Sequence, residues 1–241
     1  MKEVIIKDRI WFKIKKMKLV LFDIDGTLLD SGGAGSRALT AAFLDMFSIN
    51  NAFQGIRMGG KTDTEIIMEA MDRHGIAMDG QMPRFTGLYL EHLRAGIDNA
   101  RKRLKPGVRE ALNALQIMEG VALGLLTGNV EAGARIKLAP FGINGYFPAG
   151  AFGSDDPDRN VLLPIALDRF RVRHPDAGLS SGYCIVVGDT PRDVECAKRH
   201  GARAVAVATG SYTVADLLAT GADAVLNDLS DTASFIRSLD L

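Results

Sequence analysis

Three short segments of the sequence carry side chains and backbone groups that suit a metal ion or a phosphate group. They are DIDGT with Asp23 and Asp25, LLTGN with Thr127, Gly128 and Asn129, and VVGDTPRD with Asp189 and Asp193. Carboxylates that come close together repel and raise each other's pKa, and a bound cation removes that penalty. Oxygen ligands suit a hard divalent cation such as Mg²⁺, which also neutralises the charge of a phosphate group. The residue types therefore indicate phosphoryl transfer with Mg²⁺ as cofactor.

Each of these segments ends an apolar run that predicts a buried parallel strand. The predicted strands cover 18–25, 121–128, 183–189, 203–209 and 223–226. Amphipathic segments lie between most of them, and this alternation predicts an α/β fold with a doubly wound, Rossmann-like parallel sheet. Ligands of such sheets bind outside the carboxyl ends of the strands, so the acids and the threonine are expected at one edge of the sheet.

One interval is too long for a simple crossover between two strands. About 95 residues separate the first predicted strand from the second, and their patterns predict helices at 34–47, 63–74, 81–97 and 107–118. We therefore expect an all-helical cap domain at 31–104, inserted into a catalytic core formed by 17–30 and 105–241.

The first 16 residues, MKEVIIKDRIWFKIKK, are interpreted as an N-terminal extension. They are basic but lack the continuous apolar region and the cleavage site of a signal peptide. We expect them to be either a short tail on the first strand or an upstream start before a natural one at Met17.

Composition narrows the possible partners and the compartment. The formal net charge is zero, which gives no field favouring nucleic acid or an anionic membrane, and no apolar run reaches transmembrane length. The two cysteines, Cys184 and Cys196, suggest neither a disulfide framework nor a metal cluster. We expect a cytoplasmic protein, a monomer or homodimer, that acts on a small molecule and binds neither nucleic acid nor membrane.

The three segments resemble the first, second and fourth motifs of the haloacid dehalogenase superfamily of hydrolases. More closely, the chain is similar to phosphoglycolate-phosphatase-like members that carry a helical cap after the first strand, and the resemblance extends over nearly all of 17–241. It implies that Asp23 is a nucleophile that forms an aspartyl-phosphate. It also implies that Asp25 is the general acid for the leaving group and then the base for water.

The resemblance further implies a ligand set for the cation and the phosphate. Mg²⁺ would be held by Asp23, the backbone carbonyl of Asp25 and Asp189, with Asp193 orienting the metal's waters or an adjacent cation. Phosphoryl oxygens would be held by the donors of the second segment, which are the Thr127 hydroxyl and the amides of Gly128 and Asn129.

The chain departs from the family at the third motif, which normally supplies a lysine. The corresponding stretch, GSDDPDRNVLLPIALDRF, has no lysine, and Arg159 is the best replacement because its charge is permanent and its planar fork suits phosphate and carboxylate. Lys137 and Arg192 are the other residues that could supply this charge.

Asp25 and Asp189 separate the chemistries of the superfamily. Dehalogenases of this superfamily have the first aspartate of the motif but need neither the second acid nor a metal. The presence of Asp25 and Asp189 therefore argues against dehalogenation. We expect hydrolysis of a small organic phosphate monoester, with phosphoglycolate favoured only by the resemblance. A sugar phosphomutase and a catalytically weak binding or regulatory protein on the same fold remain alternatives.

A further string, GIRMGGKT at 55–62, matches the P-loop pattern of nucleotide hydrolases. A functional P-loop follows a buried strand, whereas this one follows a helical pattern and a polar turn, so the nucleotide-binding interpretation is rejected. The segment is interpreted as a turn between two cap helices, with Thr62 capping the second. Because a helix N-terminus beside a lysine favours anions, we expect Arg57, Lys61 and Thr62 to contact the substrate opposite Asp23.

Overall fold

The computed structural model describes residues 17–78 and 80–241, so the predicted extension at 1–16 lies outside the described residues. The strands are β1 (Lys18–Phe22), β2 (Leu29–Asp30), β3 (Arg103–Leu104), β4 (Val121–Thr127), β5 (Gly150–Phe152), β6 (Cys184–Gly188), β7 (Arg203–Val207) and β8 (Ala224–Leu226). The helices are α1 (Ala34–Phe47), α2 (Asp63–Arg73), α3 (Met82–Gly96), α4 (Val108–Gln116), α5 (Glu131–Leu138), α6 (Arg159–Arg173), α7 (Pro191–Arg199), α8 (Val214–Leu218) and α9 (Thr232–Leu239). Among the described helices, none is long and apolar enough to cross a membrane.

The predicted α/β fold is confirmed by a six-stranded parallel sheet. Its strand order is β5-β4-β1-β6-β7-β8, so the chain winds outward in both directions from the first strand. Hydrophobic clusters cover both faces of the sheet, and β1 is apolar throughout 19–22 because both of its faces are buried. Since β1 lies between β4 and β6, the carboxyl ends of the three strands that precede the polar segments meet at one edge.

Three short strands were not predicted from the sequence. β5 is an edge strand of three residues, and β2 pairs with β3 over two residues each, Leu29 opposite Leu104 and Asp30 opposite Arg103. Runs this short carry too few side chains to show a period of two. In this antiparallel pair, β2 directly precedes helices α1 to α3 and β3 directly follows them.

Helices α1, α2 and α3 enclose an apolar cluster of their own between β2 and β3. Phe43 lies near its centre, with ring centroids 5.4 Å from Phe53 and 5.8 Å from Phe85. Almost all members of this cluster come from within residues 34–97, and Val130 of the core packs against them. This packing supports the prediction of a cap domain at 31–104, whose boundaries stay a prediction.

The separate cluster generates a stability prediction. Replacing Phe43 with Ala removes the central ring, which should cost about 3–5 kcal/mol, mainly within the helical insertion. We expect faster amide hydrogen exchange in 34–97, while β1, β4 and β6 stay protected. The matched variant Phe170→Ala, in the cluster beneath the sheet, should show the reverse pattern. Equal acceleration throughout the chain in both variants would contradict two separate cores.

Candidate active site

Three aspartates converge at the carboxyl edge of the sheet. Asp23 follows β1 and Asp189 follows β6, and they are only 6% and 4% exposed. Asp193 lies in the first turn of α7, where a capping box with Thr190 fixes its side chain. One carboxylate oxygen from each of the three lies within 4.8 Å of the others. The strand ends and the helix start therefore bring together acids that are up to 170 positions apart in the chain.

The burial of these carboxylates has an electrostatic cost. Burial raises the pKa of Asp23 to about 6, and the nearby Asp193 and Asp25 raise it as well, while the Arg159 guanidinium lowers it. Burial, Asp23 and Asp193 likewise raise the pKa of Asp189 well above its usual range. Ionised carboxylates in such a position need a compensating cation. The oxygen-only donor set of Asp23, Asp189 and Asp193 fits a hard divalent ion.

Asp189 packs closely against two neighbouring loops, and there is no room for a side chain at Gly26 or Gly210. Thr27 donates a hydrogen bond from Oγ1 to Asp189 Oδ1 at 3.0 Å. A Cβ atom at Gly210 would lie 1.7 Å from Asp189 Oδ2, so the loop after β7 can pass the carboxylate only as glycine. The carboxylate is thus fixed in direction before any ligand binds.

Arg159, the first residue of α6, supplies the positive charge of the site. Its guanidinium is 3% exposed and donates from one terminal nitrogen to Asp23 Oδ1 at 3.0 Å and to Asp193 Oδ1. The other terminal nitrogen donates to the Gly60 carbonyl at 3.3 Å. A lysine could not span this set, because its donors sit on a single nitrogen. The structure therefore places the guanidinium of Arg159 beside Asp23 and Asp193, and its role in place of the lysine stays a prediction.

Thr127 lies at the end of β4 with its hydroxyl buried at the edge of the site. Its Oγ1 accepts a hydrogen bond from Asn129 Nδ2 at 2.8 Å, which leaves the hydroxyl proton free to be donated to a ligand. Asn129 Nδ2 also donates to Asp25 Oδ2 at 2.9 Å. The second segment thus presents donors toward the same place as the carboxylates.

Lys137 of α5 also reaches the site, although the sequence suggested it only as a substitute for the third-motif charge. Its Nζ donates to Asp25 Oδ2 at 2.6 Å and to Asn129 Oδ1 at 2.5 Å. Burial alone would lower the pKa of Lys137, but the carboxylates of Asp25 and Asp63 outweigh burial and raise it, so the ammonium stays charged. A lysine within an amphipathic helix gives no sequence signal that separates a buried role from a surface one. Arg192, the other substitute, instead pairs with Glu65 at 2.9 Å.

The segment that resembles a P-loop lies against the core. No strand stands between Phe47 and Asp63, and Thr62 caps α2 by accepting a hydrogen bond from the Glu65 amide at 3.0 Å, as predicted. The Asp63 amide donates to the Gly128 carbonyl at 2.7 Å, and the Thr62 hydroxyl donates to the Pro157 carbonyl at 2.8 Å. These bonds fasten the start of α2 over the polar edge of the sheet.

A cavity of about 590 Å³ lies between the helical insertion and the core. Asp23, Asp25, Thr127 and Asp189 line it on the core side. This volume is suited to a small organic ligand.

Of the three residues predicted to contact the substrate from the helical insertion, one lines the cavity and two do not. Lys61 lines the cavity, but its ammonium already pairs with Glu69 and lies 3.5 Å from Glu65. Thr62 is fully buried and uses its hydroxyl in the bonds described above, and Arg57 is exposed; neither lines the cavity. Of the three, the structure brings only Lys61 to the place where a substrate would lie.

Comparison with known proteins identifies the family. A sequence model described as haloacid dehalogenase-like hydrolase matches residues 17–201. The chain belongs to the haloacid dehalogenase-like hydrolases. Among curated relatives, the phosphoglycolate phosphatase of Rhodospirillum rubrum is 27% identical over 240 residues, covering 91% of this chain and 90% of its own. That of Yersinia pestis is 26% identical over 222 residues, covering 91% of this chain and 93% of its own.

Solved structures share the fold of this haloacid dehalogenase-like hydrolase. CbbY from Rhodobacter sphaeroides in complex with phosphate aligns with a TM-score of 0.70 at 19% identity, covering 93% of this chain and all of its own. A hydrolase from Pseudomonas syringae aligns with a TM-score of 0.68 at 23% identity, covering 92% of this chain and 98% of its own. These likenesses extend over the helical insertion as well as the sheet.

The acid cluster of this hydrolase generates a prediction about cation binding. Mg²⁺ at about 100 times its Kd should stabilise the protein by about 2.7 kcal/mol, which raises Tm by roughly 5–10 °C. Because Asp23 must be ionised to bind a cation and burial raises its pKa to about 6, the affinity should be at least about tenfold weaker at pH 5 than at pH 8. The raised pKa of Asp189 acts in the same direction. Thermal melts with increasing Mg²⁺ at both pH values measure both effects.

Two variants control this measurement. Asp189→Asn should abolish the shift in Tm, whereas Asp168→Asn, an exposed acid paired with Arg171, should keep it. An equal shift in the two variants would contradict a cation site at the sheet edge.

Proposed function

We propose that this hydrolase is a Mg²⁺-dependent phosphatase that cleaves a small organic phosphate monoester through an aspartyl-phosphate on Asp23. The observation that carries the proposal is the environment of Asp23, which is buried, raised in pKa, bonded to Arg159 and open to the same cavity as Asp25 and Thr127. The names of the curated relatives, phosphoglycolate phosphatase, support the same reaction. The resemblance to the superfamily motifs implies that Asp25 and Asp189 favour phosphate over halide chemistry.

In the first step a carboxylate oxygen of Asp23 attacks phosphorus, and the bond between phosphorus and the ester oxygen breaks. Asp25, two residues further along the chain, donates its proton to the departing oxygen, which leaves as an alcohol. Arg159 donates hydrogen bonds to Asp23 and Asp193, and these bonds fix the orientation of the Asp23 carboxylate for its attack.

In the second step the Asp25 carboxylate, now without its proton, accepts a proton from water as the water oxygen attacks phosphorus. The bond between phosphorus and the Asp23 oxygen breaks, which releases inorganic phosphate and regenerates the Asp23 carboxylate. The cap residues over the cavity limit the access of bulk water during both steps.

The phosphoryl oxygens gain donors from the loop after β4. In this proposal the Thr127 hydroxyl proton and the amides of Gly128 and Asn129 stabilise the charge that develops on these oxygens. Mg²⁺, held by Asp23, the Asp25 carbonyl and Asp189 with Asp193 beside them, would supply charge neutralisation for the same oxygens.

The proposed substrate is a small phosphate ester, and phosphoglycolate is the first to test because of the relatives' names. We also propose a cytoplasmic location, which the two buried, unpaired cysteines support. A panel of phosphate esters with product analysis would also separate hydrolysis from a phosphomutase, which returns the phosphoryl group to a sugar instead of releasing phosphate.

The nucleophile provides the direct test of this proposal. With p-nitrophenyl phosphate as probe, we expect Mg²⁺-dependent release of phosphate that falls at least about 10³-fold in Asp23→Asn, because the amide cannot form the acyl-phosphate. Asp168→Asn should retain full activity. Folded protein with no turnover of any ester in the panel would overturn the proposal in favour of a binding or regulatory role.

Lys61 provides a test of substrate recognition by the cap. Lys61→Ala removes a positive charge from the cavity wall and leaves Glu65 paired with Arg192 and Glu69 paired with Arg73. An anionic substrate should then bind more weakly, with KM raised about tenfold, or about 1.4 kcal/mol. The control Lys198→Ala removes an exposed lysine paired with Asp223 and should leave KM unchanged. Unchanged KM and kcat in Lys61→Ala, measured on the best ester of the panel, would disprove a role for Lys61.

A further inference from the structure

The ammonium group of Lys137 occupies a chamber where the core meets all three helices of the insertion. A Cβ at Gly35 of α1 would lie 3.1 Å from Lys137 Nζ and 4.0 Å from the Tyr89 hydroxyl of α3. Asp63 of α2 accepts from that hydroxyl at 3.3 Å, and its carboxylate also acts on the charge of Lys137. The lysine side chain is only 5% exposed. A buried cation in this position has a large desolvation cost, which a surface lysine would avoid.

One oxygen of Asp25, Oδ2, accepts two hydrogen bonds, one from Lys137 and one from Asn129. Asp25 Oδ2 accepts from Lys137 Nζ at 2.6 Å and from Asn129 Nδ2 at 2.9 Å, and Lys137 Nζ also donates to Asn129 Oδ1. The three side chains thus form a closed ring of hydrogen bonds. In the described part of the chain, no residue donates to the other oxygen, Asp25 Oδ1.

We infer that Lys137 is a positioning residue for the general acid. Because Asp25 Oδ2 already accepts two hydrogen bonds, the proton of the acid is carried on Oδ1. The same two bonds oppose a rotation of the carboxyl group that would exchange its two oxygens. Lys137 thereby sets which oxygen of Asp25 delivers the proton to the leaving group. Lys137 lines the cavity, but its hydrogen bonds go to Asp25 and Asn129 and not to Asp23 or Thr127. We therefore assign its effect to Asp25, and to Asn129, which it holds in place.

This inference rests on the proposed phosphatase function, and the test uses leaving groups of different basicity. Phenolate is a poorer leaving group than p-nitrophenolate, so its departure depends more strongly on protonation by a general acid. The ratio kcat/KM reports the steps up to loss of this first product. We expect Lys137→Met to lower kcat/KM for phenyl phosphate about tenfold or more, and for p-nitrophenyl phosphate less than about threefold.

A double-mutant cycle shows whether Lys137 acts through Asp25. In an Asp25→Asn background, adding Lys137→Met should cause no further loss with phenyl phosphate, because the group it positions is already gone. Lys198→Met should have no effect with either ester. If the thermal melt shows that Lys137→Met does not fold, the same measurements are made on Lys137→Gln, which also lacks the charge.

The outcomes separate the two claims. Equal losses with both esters, or a further loss in the Asp25→Asn background, would overturn the role of Lys137 and leave the phosphatase proposal standing. Wild-type protein that hydrolyses neither ester would overturn the phosphatase proposal, and the role of Lys137 with it.

Discussion

The mutual repulsion of buried carboxylates governs the construction of this hydrolase. Asp23, Asp189 and Asp193 are each less than a tenth exposed and share one small volume at the end of the sheet. Such an arrangement is stable only where positive charge compensates it. Arg159 supplies part of that charge from the first turn of α6, and a second buried cation, Lys137, compensates Asp25 nearby. The sheet and the surrounding helices hold these opposite charges together at the edge of the cavity.

The arginine at the third motif has a geometric consequence that a lysine would not have. Its planar group bonds Asp23 and Asp193 on one side and the carbonyl of Gly60 on the other. Asp23 and the segment that precedes α2 are therefore linked through one rigid side chain. In this hydrolase the same arginine both compensates the buried carboxylates and bonds the segment that precedes α2.

The sheet could be predicted from the sequence because its central strands are buried on both faces and read as continuous apolar runs. The convergence of Asp23, Thr127 and Asp189 could also be predicted, since parallel strands end at a common edge. Lys137 could not be assigned, because its importance comes from the chamber beneath Gly35 and Tyr89, which only tertiary packing creates. The engagement of the Thr62 hydroxyl by Pro157 likewise depends on residues 95 positions apart. The short strands β2, β3 and β5 were missed because so few residues show no periodicity.

The antiparallel pair of β2 and β3 has a consequence for the history of the chain. Leu29 pairs with Leu104 and Asp30 with Arg103, so the insertion begins and ends at adjacent points on the surface of the core. A segment whose ends meet in this way can be exchanged for another without disturbing the sheet, as insertions between neighbouring termini are well tolerated. The helices between β2 and β3 can therefore be replaced or altered while the acids at the sheet edge stay in place.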